Sequence, residues 1–209
     1  MKKIICILIF LFIISNKNVV KENNIKKIDI INKLDVYKEK YNNEDIIGII
    51  KIEDTKINNL VVKSNNNDYY LNHNLNKEKD ILGNIYMDYR VDLDSKQINI
   101  YGHSSSYYDL PFNELKKYLN KDFYEKHKII NIFNGYKTSN YLIFSVNIRN
   151  DKEHMIVNSV NYNKHIKELS KSLYNTNVKV NEEEDILILQ TCYDNSYLII
   201  SAKKVYSTV

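Results

Sequence analysis

An ionised cysteine is the strongest nucleophile a side chain offers, and it needs a neighbour that can hold or move a proton. Cys192 follows the apolar run Ile186-Leu187-Ile188-Leu189-Gln190-Thr191. That run predicts a buried strand, with the thiol just past its end, at a rim where a loop can expose it. The partner must come from five histidines: His73, His103, His127, His154 and His165. His103 stands apart. It follows a predicted strand, Ile98 to Tyr101, and a Gly102 turn, then enters the Ser104-Ser105-Ser106 loop. The other four lie in polar loops or helices, where a solvated surface histidine is the default. Spacing alone leaves any of the five open as the nearest in space.

Lone cysteines are commonly buried and inert, so the compartment matters. Lys2 and Lys3 precede an unbroken apolar run from Ile4 to Ile14, with Ser15-Asn16-Lys17-Asn18 after it. A basic end followed by such a stretch has the layout of an export signal. No small-x-small cleavage site follows, so residues 1–20 read as an uncleaved, single-pass membrane anchor, which Val19 and Val20 extend. A cleaved signal peptide and a buried N-terminal helix are the alternatives. With the anchor, the positive-inside rule keeps Lys2 and Lys3 in the cytosol and puts the rest outside the cell. Exported proteins normally pair their cysteines, and Cys6 inside an anchor cannot reach Cys192. An unpaired extracellular thiol invites a functional explanation.

Composition narrows the remaining classes. Of 209 residues only two are cysteine and four glycine. That excludes a disulfide scaffold and a four-cysteine zinc site, and neither GxGxxG nor GxxxxGK[ST] occurs. The histidines show no HxH or HxxxH pairing, so neither a metal nor another cofactor is expected. The run Glu182-Glu183-Glu184-Asp185 reads as a solvated turn before a strand rather than a calcium site. The net charge of +4 is spread along the chain and gives no nucleic-acid footprint. Only two basic residues are arginines, Arg90 and Arg149.

The elements that must position the thiol and imidazole are mainly strands. Residues 21–44 read as an N-terminal helical linker, with Ile25, Ile28, Ile31, Leu34 and Tyr41 at roughly helical spacing. From residue 45 the texture turns β-rich. Strands are predicted at 46–52, 60–62, 85–87, 98–101, 129–133, 141–146, 186–190 and 197–202. Helical patches interrupt them at Pro111 to Leu119 and Asn161 to Leu173, the second with Tyr162, His165, Ile166, Leu169 and Leu173 on one side. Short strands with few helices predict a mainly β protein, a barrel or sandwich, over 45–209.

Two motifs then resemble a family. Ile100-Tyr101-Gly102-His103 and Ile188-Leu189-Gln190-Thr191-Cys192 are similar to the histidine and TLxTC motifs of sortases, the cysteine transpeptidases of Gram-positive cell surfaces. Isoleucine stands where the first threonine of TLxTC is usual. The segments Ile47 to Ile52, Asn67 to Asn74, Gly83 to Arg90 and Leu115 to Tyr118 resemble class B sortases. So does Ser170 to Tyr174 after the long helix. The resemblance implies an eight-stranded sortase β-barrel with an N-terminal helix and a helical insertion before the last strands. It implies Cys192 as nucleophile and His103 as acid/base. The substrates would be surface proteins bearing a C-terminal sorting signal, cleaved after threonine through a thioester. The acceptor would be an amine of a peptidoglycan precursor or of a pilin. Leu71, Gln190 and Thr191 would contact the substrate.

Sortases also carry an arginine on the strand after the cysteine, which binds substrate and steadies the oxyanion. Here that segment reads Tyr193-Asp194-Asn195-Ser196-Tyr197-Leu198. Its loop is about three residues shorter than usual, and Tyr197 falls where arginine is expected. Lys203 shares Tyr197's strand face but lies six residues on, about 20 Å along a strand. Three readings stay open: Tyr197 donates a hydrogen bond, Arg149 (rather than Arg90) reaches in from another strand, or the enzyme is impaired. A surface module that binds sorting peptides without turnover, and a different cell-wall cysteine peptidase, are the competing functions.

Overall fold

A computed structural model describes residues 32–150 and 161–208. The anchor expected at 1–20, the first part of the expected linker helix and His154 lie outside the described residues. Among those described, no helix is long and apolar enough to cross a membrane.

Eight strands close into a barrel in the order β1-β2-β3-β4-β7-β8-β6-β5. They are β1 (Ile46–Lys51), β2 (Asn58–Val62), β3 (Tyr86–Met87), β4 (Gln97–Tyr101), β5 (Ile129–Phe133), β6 (Thr138–Arg149), β7 (Ile186–Tyr193) and β8 (Ser196–Thr208). Closure comes from β1 pairing with β5, Ile50 opposite Ile132. Most pairs are antiparallel, but β2–β3 and β4–β7 are parallel. Each of the eight predicted strands is found. The last three are longer than their apolar patterns, because β6 and β8 pair over eleven positions and carry polar residues with them.

Strand β7 shows why its sequence is a run and not an alternation. Leu187 and Leu189 fill the barrel interior with Ile98, Ile100, Leu198 and Ile200. Ile186 and Ile188 face outward, and a helix covers them. That helix, α3 (Tyr162–Leu169), sits in the β6–β7 connection and lays Ile166 and Leu169 on Phe144, Ile186, Ile188 and Ile199. A strand buried on both faces has no polar side to show.

One local expectation is met over its described part and two are corrected. The linker helix is found as α1 (Lys33–Tyr41), capped by Asn32 and stopped by Asn42 at φ 46°, with Leu34 buried on Ile46, Val62 and Tyr70. Helix α3 ends at Leu169 instead of Leu173. The chain leaves to bond β6, Leu173 N–H donating to the Val146 carbonyl, and the Leu173 side chain is exposed. The Pro111–Leu119 patch is a 3₁₀ helix. Its three residues per turn align Phe112, Leu115 and Tyr118 on one buried face. Two short elements had no sequence signal: a 3₁₀ turn at Tyr69–Leu71, and α2 (Lys121–Lys126), whose only buried residue is Tyr124.

Candidate functional site

The parallel β4–β7 seam places the two chemical residues side by side. Its register runs from Gln97 opposite Ile186 to Tyr101 opposite Gln190. Residues 103 and 192 have the same offset, so the register carries them together past the end of β4. Three hydrogen bonds extend the seam. Gly102 N–H donates to the Gln190 carbonyl at 3.3 Å. The Thr191 hydroxyl donates to the Gly102 carbonyl at 2.7 Å, and the Ser104 hydroxyl donates to the Cys192 carbonyl at 2.5 Å. Gly102 must be glycine for contact reasons, since a Cβ there would stand 2.7 Å from the buried Phe112 ring.

Cys192 is exposed and unpaired. It lies within β7, one residue before the strand ends, rather than past the end as its apolar run suggested. Its outward face is that of Gln190 and Ile188. An open cleft of about 170 Å³ is lined by Cys192, His103, Leu71, Gln190, Thr191 and Tyr197, with Tyr86, Tyr101 and Gly102 behind them. Thr191 is almost fully buried and its hydroxyl is spent on Gly102, so it ties the cleft together from beneath.

His103 Nε2 lies 2.7 Å from the Leu71 carbonyl oxygen. A carbonyl only accepts, so Nε2 carries a proton and Nδ1 is the nitrogen left to exchange one. Gly83, at φ 57°, packs closely against the Leu71 carbonyl. A Cβ on Gly83 would meet the Tyr70 and Leu71 oxygens at 2.5 and 2.6 Å.

The cleft floor is aromatic and anchored. The Tyr86 and Tyr101 rings meet at 5.3 Å. Burial holds the Tyr86 hydroxyl well above its ordinary range, with the charges of Asp68, Asp88 and Cys192 adding to the shift. The Tyr101 hydroxyl donates to buried Asp88 at 2.9 Å. Burial alone would raise Asp88. Arg90 overcomes it by donating from Nε and Nη2 at 2.8 and 2.6 Å, and Tyr101 and Asn67 help, holding the carboxyl at about 2. Arg90 is therefore committed to Asp88. Behind Tyr101 a buried polar line continues along the outer face of β4. Asn99 donates to Tyr101, Gln97 donates to Asn99, and His165 Nε2 meets Gln97 Oε1 at 2.8 Å. Sequence reasoning assigned no role to Tyr86, Tyr101, Ser104 or this line. The alternation Gln97-Ile98-Asn99-Ile100-Tyr101 was visible, but polar alternation ordinarily signals a solvated face.

On the other flank, β7 turns into β8 through Asp194-Asn195, Asp194 at φ 50° as a tight hairpin requires. The register sets Cys192 opposite Tyr197, and Tyr197 opposite Arg149 of β6. The three side chains leave one face of three adjacent strands in a row. Arg149 does not line the cleft; its charge acts on His165 and Glu168 of α3. Lys203 is farther still, paired with Glu184 at 2.6 Å.

The remaining described histidines are not the solvated side chains expected. His73 stacks on Tyr69 and His127 on Phe123, each with Nδ1 on that residue's carbonyl. His165 is half-buried against Gln97. In the acidic run, Glu184 and Asp185 pair with Lys203 and Lys204. Among the described residues no three His, Cys, Asp or Glu side chains group as a metal would need.

A family model described as Sortase domain matches residues 50–205, a span that contains the barrel seam and both chemical residues. The chain belongs to the sortase family. Sortase B of Staphylococcus aureus (strain NCTC 8325 / PS 47) is 35% identical over 159 residues, covering 73% of this chain and 65% of that protein. A cysteine-to-serine form of Clostridium perfringens sortase B superposes with a TM-score of 0.74 at 34% identity, over 84% of this chain and 90% of that one. A sortase B structure complexed with triglycine does so with a TM-score of 0.74 at 30% identity, over 84% and 86%. Within the family this sortase is of class B, and its closed mixed barrel matches theirs. Sortases as a family are cysteine transpeptidases of the cell surface.

Proposed function

We propose that this sortase is a cell-surface transpeptidase whose nucleophile is Cys192 and whose acid/base is His103. The parallel β4–β7 register, which draws both into one cleft, is the observation that carries this reading. A peptide carbonyl, that of a threonine in a C-terminal sorting signal, lies against Cys192. The sulfur adds to the carbonyl carbon and the oxygen takes the negative charge. The proton that leaves the Cys192 sulfur is held at His103 Nδ1 and passes to the departing amine as the C–N bond breaks, leaving a thioester on Cys192. An incoming amine, from a peptidoglycan precursor or a pilin, then gives its proton to the same nitrogen as it displaces the sulfur. A thioester divides one amide exchange into two easier steps. Leu71 and Gln190, which line the cleft, contact the bound peptide. Residues 1–20 anchor the protein in the membrane with the barrel outside.

The oxyanion needs a donor, and Tyr197, opposite Cys192 in register and lining the cleft, has a hydroxyl to supply it. Losing one such donor costs roughly 10²–10³ in rate in other enzymes. That substitution favours a second reading, in which the cleft binds sorting peptides with little turnover.

Intact mass spectrometry of the full chain incubated with threonine-containing sorting peptides separates the two. The enzyme reading expects an acyl adduct confined to Cys192 and a released C-terminal fragment. Peptide binding without adduct or cleavage across the panel would instead establish the binding module.

A further inference from the structure

Asp88 is a fully buried carboxylate that does not line the cleft. It stands directly after β3, a strand of two residues that pairs Tyr86 with Tyr101 and Met87 with Ile100. The backbone adds one more rung, Asp88 N–H donating to the Asn99 carbonyl at 2.9 Å. From there the side chain takes over. Its Oδ1 accepts from Arg90 Nε and from the Arg90 N–H, at 2.8 and 2.9 Å. Its Oδ2 accepts from Arg90 Nη2, the Tyr101 hydroxyl and Asn67 Nδ2, at 2.6, 2.9 and 3.1 Å. Donors converge on both oxygens, a set that a carboxylate accepts and an amide, with a single oxygen, does not.

Two of those donors lead to His103 by separate routes. Tyr101 precedes it by two residues, so the backbone carrying the imidazole leaves from a ring pinned at its hydroxyl. Asn67 lies four residues before Leu71, whose carbonyl meets Nε2. Asn67 is almost fully buried and is gripped at both ends of its amide, since Oδ1 accepts from the Tyr89 N–H at 3.0 Å. The 3₁₀ turn Tyr69–Leu71 follows, and the Tyr70 hydroxyl ties it separately to Asp45 at 2.7 Å. One oxygen of Asp88 thus joins the segment that carries the imidazole to the segment that orients it. Resting on the function proposed above, we infer that Asp88 is a positioning residue for His103. By clamping Tyr101 to Asn67 it keeps the Leu71 carbonyl on Nε2, and so keeps Nδ1 as the nitrogen that exchanges protons.

The test uses the full chain labelled with ¹⁵N-histidine, the His103 signals being those lost in His103→Gln. Long-range proton–nitrogen spectra at about pH 9, where imidazoles are neutral, read the tautomer. A second measurement is the single-turnover rate constant for thioester formation at saturating sorting peptide, which does not depend on the fraction of protein folded. The parent should show His103 protonated on Nε2 alone. Asp88→Asn should mix the two tautomers and lower the rate constant by about tenfold to a hundredfold, as ångström-scale misplacement does. The peptide concentration giving half the maximal rate should move much less. Asn67→Ala, which leaves Arg90 on Asp88, should shift both readouts in the same direction by a smaller factor, and it carries the test if Asp88→Asn does not fold. Tautomer and rate constant both unmoved, or a slower rate with the tautomer unmixed, overturns the role of Asp88 alone. Absence of any thioester in the parent chain overturns the catalytic reading and this role together.

Discussion

Strand β7 is flanked by two neighbours that complete the cleft in different ways. On the β4 side, His103 is held by several independent restraints. They are a five-position parallel register, three hydrogen bonds across the seam, the Phe112 ring against Gly102 and the Leu71 carbonyl on Nε2. On the β8 side, Tyr197 is placed by backbone pairing, opposite Cys192 across the Asp194-Asn195 hairpin and opposite Arg149 of β6. Side-chain and close-packing restraints tie the chemistry on one flank to particular residues. Backbone pairing holds a position whatever its side chain, so the residue there can be exchanged at small cost to the fold. The flank held by backbone pairing carries Tyr197, at the position where the resemblance expects arginine, and the flank held by side-chain contacts carries His103.

Breaking the chemistry should separate the flanks most widely. Cys192→Ala should abolish the acyl adduct. His103→Gln should slow acylation by about 10²–10⁴, the usual worth of a general acid. Both should melt within a few degrees of the parent in a thermal unfolding scan, since neither side chain is buried. On the β8 flank, Tyr197→Phe should slow acylation by up to about 10²–10³ if the hydroxyl is the oxyanion donor. Tyr197→Arg should raise it in the same assay. A rate unmoved by Tyr197→Phe would assign the donor to another group.

The rigid flank should answer in stability. Gly102→Ala drives a methyl toward the Phe112 ring and should cost about 1–3 kcal/mol in denaturant unfolding. Thr191→Val leaves the Gly102 carbonyl without its donor and should cost about 1 kcal/mol. It should also slow acylation, because the seam then no longer pins His103. A Gly102→Ala variant of unchanged stability would show that the seam is looser than its contacts imply.

Acid should act on the polar line behind Tyr101. Burial foremost, and then the charge of Arg149, hold His165 below its usual 6.5, so its neutral form is favoured in the fold. That contribution is complete above pH 6.5 and is lost as pH falls below it. The Asp88 carboxyl sits at about 2 against 3.8 when unperturbed. It contributes about 2 kcal/mol that is present above pH 4 and lost between pH 4 and 2. Unfolding free energies measured from pH 7 to pH 2 should fall in these two stages. Asp88→Asn should remove the lower one.

Much of this was legible in local patterns. The eight strands showed as apolar runs or alternations, because burial on one or both faces of a strand prints directly on the sequence. The elements that escaped did so for physical reasons. Helix α2 is six residues long with one buried side chain, too short for any period to show. Helix α3 stops early because Leu173 gives its amide to β6, a long-range bond that no helical wheel anticipates. Gln97, Asn99 and Tyr101 look like a solvated face, yet they are buried because His165 and Asp88 satisfy the two ends of their line.

The sequence by itself determined which groups are available: one thiol outside the N-terminal apolar run, a histidine at the end of a strand, and no arginine beyond Arg149. Those are facts of composition and local order. The tertiary structure decided which of them meet. Only the parallel seam aligns residues 89 apart in the chain. Only the Leu71 carbonyl selects Nδ1 of His103 as the exchanging nitrogen. Only pairing across three strands puts Tyr197 between Cys192 and Arg149. Strand register and imidazole tautomer depend on partners distant in sequence, so they exist only once the barrel has closed.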